Sequence, residues 1–184
     1  MLAFVSLARV AAGDASVADV LALCSQLVAD MMPGITGAWY IPSVSRDVLA
    51  AVEAFGPGAA ALRAGTVEMG ERLTGWVAVQ RQPIVNSDAA LDLGVRSEGP
   101  LASARYCVSV PLVSGDALVA VLSLYAADAF KDDTGRLLQM IAPHLATCIG
   151  AAAAAAAPAS VDARPPVDKS AAASAAALRL VAVR

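Results

Sequence analysis

Residues 106–125 restrict the fold of this chain more than any other stretch. They read Tyr-Cys-Val-Ser-Val-Pro-Leu-Val, then Ser-Gly-Asp, then Ala-Leu-Val-Ala-Val-Leu-Ser-Leu-Tyr. Two apolar runs rich in β-branched residues flank a short polar turn containing Gly115, which is the pattern of a β-hairpin. Neither run alternates cleanly between apolar and polar, so both faces of the sheet are expected to be covered and the strands to be central ones. Ser109, Ser123 and Tyr125 set hydroxyls among these apolar positions. A buried hydroxyl without a partner costs about 1–3 kcal/mol. Each must therefore bond to a neighbour or face a wet pocket.

The preceding chain supplies what packs on this hairpin. Ser16 with Asp19 three residues later forms a capping-box start. Val17, Val20, Leu21, Cys24, Leu27, Val28 and Met31 then recur at spacings of three and four, which predicts an amphipathic helix ending at Pro33-Gly34. Residues 35–41 read as a first strand and 47–55 as a strand paired back on it, with a turn between. Gly56-Pro57-Gly58 breaks the chain, and 59–66 is a connector of no assigned type. Residues 70–82 form a short helix with a Gly75-Trp76 step, and 83–86 are extended. Residues 87–100 are polar and loop-like; such an excursion inside a compact domain is often a functional lid.

After the hairpin, Asp132 and Asp133 open a long helix at the end where carboxylates are favoured. Leu137, Leu138, Met140, Ile141, Leu145, Cys148 and Ile149 are expected to form its apolar face, and it can run into seven alanines at 151–157. Leu137 and Ile141 are expected in the core, where truncation to Ala costs about 2–5 kcal/mol. Cys24 and Cys148 are expected to pack where the two terminal helices meet. Three units follow: an N-terminal helical extension at 1–15, a domain at 16–157, and an Ala/Pro-rich linker or tail at 158–184.

Composition removes several function classes. Mean hydropathy is +0.65, but much of it comes from alanine, and no run of about 18 strongly apolar residues occurs, so no membrane span is expected. Residues 1–8 lack a basic leader and Arg9 interrupts them, which disfavours a signal peptide. Net charge is −3 with no basic cluster, which disfavours nucleic acid. Cys24, Cys107 and Cys148 lie far apart with no Cys-x-x-Cys pair. A zinc site and a disulfide framework are thus disfavoured, and a reduced, cytoplasmic protein is expected.

The segment Gly70-Glu-Arg-Leu-Thr-Gly75-Trp76, followed by Pro83-Ile84-Val85-Asn86-Ser-Asp88, resembles the GAF domain family. So do Ser109-Val-Pro111-Leu112, Gly115, Val121-Leu122-Ser123-Leu124-Tyr125, Phe130, Leu137-Leu138 and Ile141-Ala142, in that order, and the resemblance covers about 16–152. It implies an α+β fold: a six-stranded antiparallel sheet with N- and C-terminal helices on one face and lid helices and loops on the other. It further implies a small-molecule pocket under the lid, dimerisation through the terminal helices, and a kinase, cyclase or transcriptional effector as output. Cyclic-nucleotide-binding members carry Asn-Lys after the return strand, where this chain has Tyr125-Ala126. Bilin-binding members carry Cys-His in the lid, and free methionine sulfoxide reductases use lid cysteines. Residues 86–105 contain neither Cys nor His.

The expected pocket residues are Trp39, Tyr40, Trp76, Asn86, Asp88, Asp92, Arg96, Cys107, Ser109, Ser123 and Tyr125, with either parity of the strands open to it. Trp76 is weighed as a core anchor before a pocket wall, and Asp92→Ala is expected to leave folding intact. The single histidine, His144, sits on the long helix away from the pocket. A triad, a metal cluster and a phosphate-binding glycine loop are all missing, so no catalytic or metal-binding residue is assigned and no cofactor is named. The expected function is non-enzymatic sensing or regulation through a bound small molecule; the alternative is a ligand-free dimerisation module.

Overall fold

The computed structural model describes residues 16–156. The expected N-terminal helical extension at 1–15 and the tail at 158–184 lie outside them.

Helix α1 (Val17–Met31) starts at the capping box: the Asp19 amide donates to Ser16 Oγ at 3.2 Å, and the Ser16 amide to Asp19 Oδ2 at 3.1 Å. Strands β1 (Thr36–Pro42) and β2 (Val48–Phe55) pair antiparallel, as their sequences predicted. A further strand, β3 (Thr66–Glu68), falls partly in the segment left unassigned, after a single 3-10 turn at Ala59–Ala61. Then come α2 (Arg72–Gln80), β4 (Ile84–Asp88) and a short helix α3 (Ala90–Leu93). The polar segment is therefore not an open loop. It holds α3 and two 3-10 turns, Gly94–Ser97 and Gly99–Leu101.

The hairpin forms as β5 (Tyr106–Ser114) and β6 (Ala117–Ala126), and Gly115 takes the left-handed φ of +57° that its two-residue turn demands. Helix α4 (Asp132–Ala156) closes the described chain. The six strands are all antiparallel, in the order β3-β2-β1-β6-β5-β4.

Strand parity divides the interior into two cores. On one face Trp39, Val108, Val110, Leu122 and Leu124 meet Val20, Leu21, Cys24 and Val28 of α1 and Leu138, Leu145, Ala146 and Ile149 of α4. On the other, Tyr40, Leu49, Val67, Cys107, Val121 and Tyr125 meet Val77 and Ala78 of α2, Leu93 of α3 and Leu101.

The buried stripe of α4 is displaced from the expected one. Leu138, Ala142, Leu145, Ala146, Ile149 and Ala152 face the sheet, whereas Leu137 is 37% and Met140 68% exposed, and Cys148 lies outside. The alanines at 142, 146 and 152 are part of the contact surface, so a reading weighted toward large side chains rotates the stripe. Truncating Leu138 or Ile149 to Ala is expected to cost about 2–5 kcal/mol, and Leu137→Ala less than about 1 kcal/mol, as read by urea denaturation. Among the described residues α4 is long and apolar enough to cross a membrane by length and composition, yet one of its faces is laid on the sheet. Pro143 sits inside it and removes the amide that the Gln139 carbonyl would receive.

Candidate functional site

The site is the junction between the lid, formed by α2 and α3, and the sheet. Its construction begins with an end problem. The first turn of α2 has backbone amides with no intrahelical partner, and the N-cap residue, Glu71, gives no side-chain hydrogen bond. Asp92, on α3, supplies the missing cap from a different segment: the Thr74 amide donates to Asp92 Oδ1 at 2.7 Å. Arg72 closes the same junction from the other side, its Nη1 donating to the carbonyls of Asp92 and Leu93, each at 2.9 Å.

The second oxygen of Asp92 faces the sheet. Thr74 Oγ1 donates to Oδ2 at 2.6 Å, the Tyr125 hydroxyl donates to it at 2.6 Å, and Cys107 Sγ lies 3.9 Å away. Thr74 Oγ1 is also 2.6 Å from Ser123 Oγ, which is 2.8 Å from Ser109 Oγ, itself 3.6 Å from Cys107 Sγ. A hydroxyl has one proton, so these bonds have a direction. Thr74 gives its proton to Asp92; Ser123 must then donate to Thr74, and Ser109 to Ser123. The hydroxyl chain runs one way, toward the Asp92 carboxyl. Asp92 is 3% exposed, and Thr74, Cys107, Ser109 and Ser123 are fully enclosed. Among the described residues no buried side-chain nitrogen or oxygen lacks a partner.

Burial governs the acid–base behaviour of the neighbours. The Tyr125 phenol is pushed well above its ordinary range by burial and then by the charge of Asp92. Cys107 is raised by the same two causes in the same order. Tyr40, also buried near Asp92, is pushed up to about 12. In each case the folded chain keeps a proton that the unfolded chain releases from about pH 9–10 upward. Fewer protons on the unfolded state mean that stability falls as pH rises. The stability is complete below pH 9 and is expected to decline through pH 10–12. A series of urea midpoints across that range should show a shallower decline for Tyr125→Phe than for the parent chain.

The structure settles the parity left open by the sequence. Tyr40, Cys107, Ser109, Ser123 and Tyr125 share the lid face of the sheet. Trp39 does not: it is buried on the helix face, where its Nε1 donates to Ser25 Oγ at 2.8 Å. Trp76 is neither a core anchor nor part of the junction, because α2 buries Thr74, Gly75, Val77 and Ala78 and leaves Trp76 41% exposed. Asn86 is used elsewhere, exchanging two hydrogen bonds with the Phe130 backbone, and Asp88 accepts from the Ala90 amide at the start of α3. Arg96 is half-buried, with its guanidinium against Gly65 and close enough to Tyr40 to oppose the rise of its phenol. Asp92 is the centre of the junction, and its substitution is not the neutral change expected of a solvated lid. Thr74 was not anticipated; its position before Gly75-Trp76 on a helix without a cap of its own was the available sign.

The GAF domain model matches residues 14–150, more than half of the chain. The chain belongs to the GAF domain family. GAF structures with the same fold include the GAF domain of a phosphoenolpyruvate-protein phosphotransferase from Coxiella burnetii, at 18% identity and TM-score 0.65, covering 83% of this chain and 93% of that one. Residues 122 to 287 of a methyl-accepting chemotaxis protein match at 15% identity and TM-score 0.64, covering 86% and 100%. A free methionine-R-sulfoxide reductase from Neisseria meningitidis, in complex with its substrate, matches at 18% identity and TM-score 0.60, covering 76% and 80%. At these identities the likeness is one of fold. No curated protein matches the chain. GAF domains are generally non-catalytic regulatory modules, and among the described residues no group of three or more His, Cys, Asp or Glu could hold a metal ion.

Proposed function

We propose that this GAF domain is a non-enzymatic sensory module whose small polar ligand binds between the lid and the sheet and whose output passes through the terminal helices. The carrying observation is the buried Asp92 carboxyl, which ties α3 to α2 and to β6 through Thr74 and Tyr125. A well-packed apolar contact would hold a lid at least as firmly as a buried charged group does, so the hydroxyl-lined junction is better suited to exchange than to permanence. A ligand rich in hydrogen-bond donors would take the place of Tyr125 and Thr74 at Asp92 and release the lid. Exposed Leu27, Met31, Leu137 and Met140 on α1 and α4 suit a homodimer through these helices. A kinase, cyclase or transcriptional effector in the cytoplasm fits as the receiver.

The second reading, a ligand-free dimerisation module, is favoured by one observation: the domain's own side chains already satisfy the junction completely. A thermal-shift screen separates the two, using nucleotides, cyclic nucleotides, haem, biliverdin and small acids. A ligand specific for the native state at 100 times its dissociation constant adds about 2.7 kcal/mol, or several degrees. A shift that disappears in Ser109→Ala supports sensing under the lid. No shift across the panel, with a dimer in light scattering, supports the interaction module.

A further inference from the structure

A cleft lies at the opposite end of α2 from Thr74, away from the Asp92 junction. It encloses about 230 Å³. Its apolar lining includes Pro42, Met69, Val79 and Leu118, and two arginines, Arg46 and Arg81, complete it. They come from separate elements, the β1–β2 turn and the C-terminal end of α2.

Three features of these arginines go together. Both are at left-handed backbone positions, with φ of +61° at Arg46 and +54° at Arg81, where glycine or asparagine would sit without strain. Neither guanidinium has a hydrogen-bond or ion-pair partner among the described residues. Both are exposed, and both line one cleft. Arg81 ends α2 in the left-handed form, its amide donating to the Val77 carbonyl, and Arg46 closes the β1–β2 turn, its amide donating to the Ser43 carbonyl at 2.9 Å. The two backbone turns thereby bring two guanidinium-bearing residues to one apolar hollow.

We propose that this cleft is a binding site for a small organic carboxylate with a short hydrocarbon body. The planar guanidinium presents paired donors that match a carboxylate. Met69, Val79, Leu118 and Pro42 offer apolar surface to the carbon chain. The volume suits a short acyl or single-ring acid and no larger group. This site is independent of the ligand reading at the lid.

The test uses the full chain, uniformly labelled with nitrogen-15, titrated with sodium hexanoate, and with 1-hexanol and inorganic phosphate as separate probes. Hexanoate is expected to shift the amides of Arg46, Arg81 and Leu118 in a saturable way, and each of the other probes to bind at least ten-fold more weakly. Arg46→Gly and Arg81→Gly remove a guanidinium and relax the strained φ together. Each is expected to weaken hexanoate at least ten-fold while leaving the ligand-free melting temperature unchanged or higher. Arg81 also lines a neighbouring cleft with Pro111 and Pro143, whereas Arg46 does not, so the Arg46 variant assigns the site. Full hexanoate affinity in Arg46→Gly overturns the proposal, as do shifts confined to Asp92 and Tyr125, equal binding of phosphate, or no saturable shift.

Discussion

Asp92→Ala is expected to destabilise the domain by about 3 kcal/mol or more, because each buried donor left without its acceptor costs about 1–3 kcal/mol. The substitution leaves the Thr74 amide, the Thr74 hydroxyl and the Tyr125 hydroxyl without their acceptor in a space that water does not reach. It also takes away the only side-chain cap of α2 among the described residues, a loss of about 1 kcal/mol on its own. These terms share a site and do not add. Asp92→Asn is the informative companion. Its amide oxygen can still accept from one group, but its NH₂ would face a second donor, so it should recover only part of the loss. Urea unfolding of the three proteins measures this, and a change below about 1 kcal/mol for Asp92→Ala would show that the junction is not structural.

Gly75→Ala is expected to have an effect of about 3 kcal/mol or more, the upper end of overpacking, and through a different cause. α2 lies so close to β3 that a Cβ at position 75 would stand on the carbonyl oxygen of Glu68, with Val67 Cγ1 another 3.3 Å away. The same approach lets the Gly70 amide reach the Gly75 carbonyl at 2.9 Å. Backbone cannot yield as a flexible side-chain tip can, so α2 must lift from β3. Alanine would raise the helix propensity of an isolated α2 by about 1 kcal/mol, and the contact is expected to outweigh it. Because lifting α2 also draws Thr74 from Asp92, thermal unfolding should show a lower midpoint, and the alkaline decline in stability should begin from a lower plateau. An unchanged midpoint would mean that α2 is free to shift on the sheet.

Much of this was written in local sequence. The Ser16–Asp19 box, the Gly115 turn and the β-branched runs each specify their element through contacts only a few residues apart. β2 was recoverable despite its alanines because breakers on both sides limit its length. The three-residue β3 carries too few side chains for a pattern; it exists because β2 offers it an edge. The buried stripe of α4 depended on which small residues the sheet admits, which is a tertiary matter.

At the site, the hydroxyl residues of β5 and β6 stood out because they interrupt apolar runs. The choice between Trp39 and Tyr40 required the register of β1 against β6, where Trp39 pairs with Leu122 and Tyr40 with Val121. Asp92 resembled any acidic residue of a polar segment. Its burial follows from a helix end eighteen residues earlier, which sequence proximity does not reveal.

Along β6 the side chains alternate strictly over the stretch that matters: Leu122, Ser123, Leu124, Tyr125. The even-numbered pair is sunk among α1 and α4, and the odd-numbered pair belongs to the lid junction. A strand of this kind behaves as a see-saw plank. Rolling it about its long axis would swing Ser123 and Tyr125 one way across the sheet and Leu122 and Leu124 the other way by the same rotation. Under the proposed sensing role, a displacement of the lid would reach α1 and α4 through this one strand.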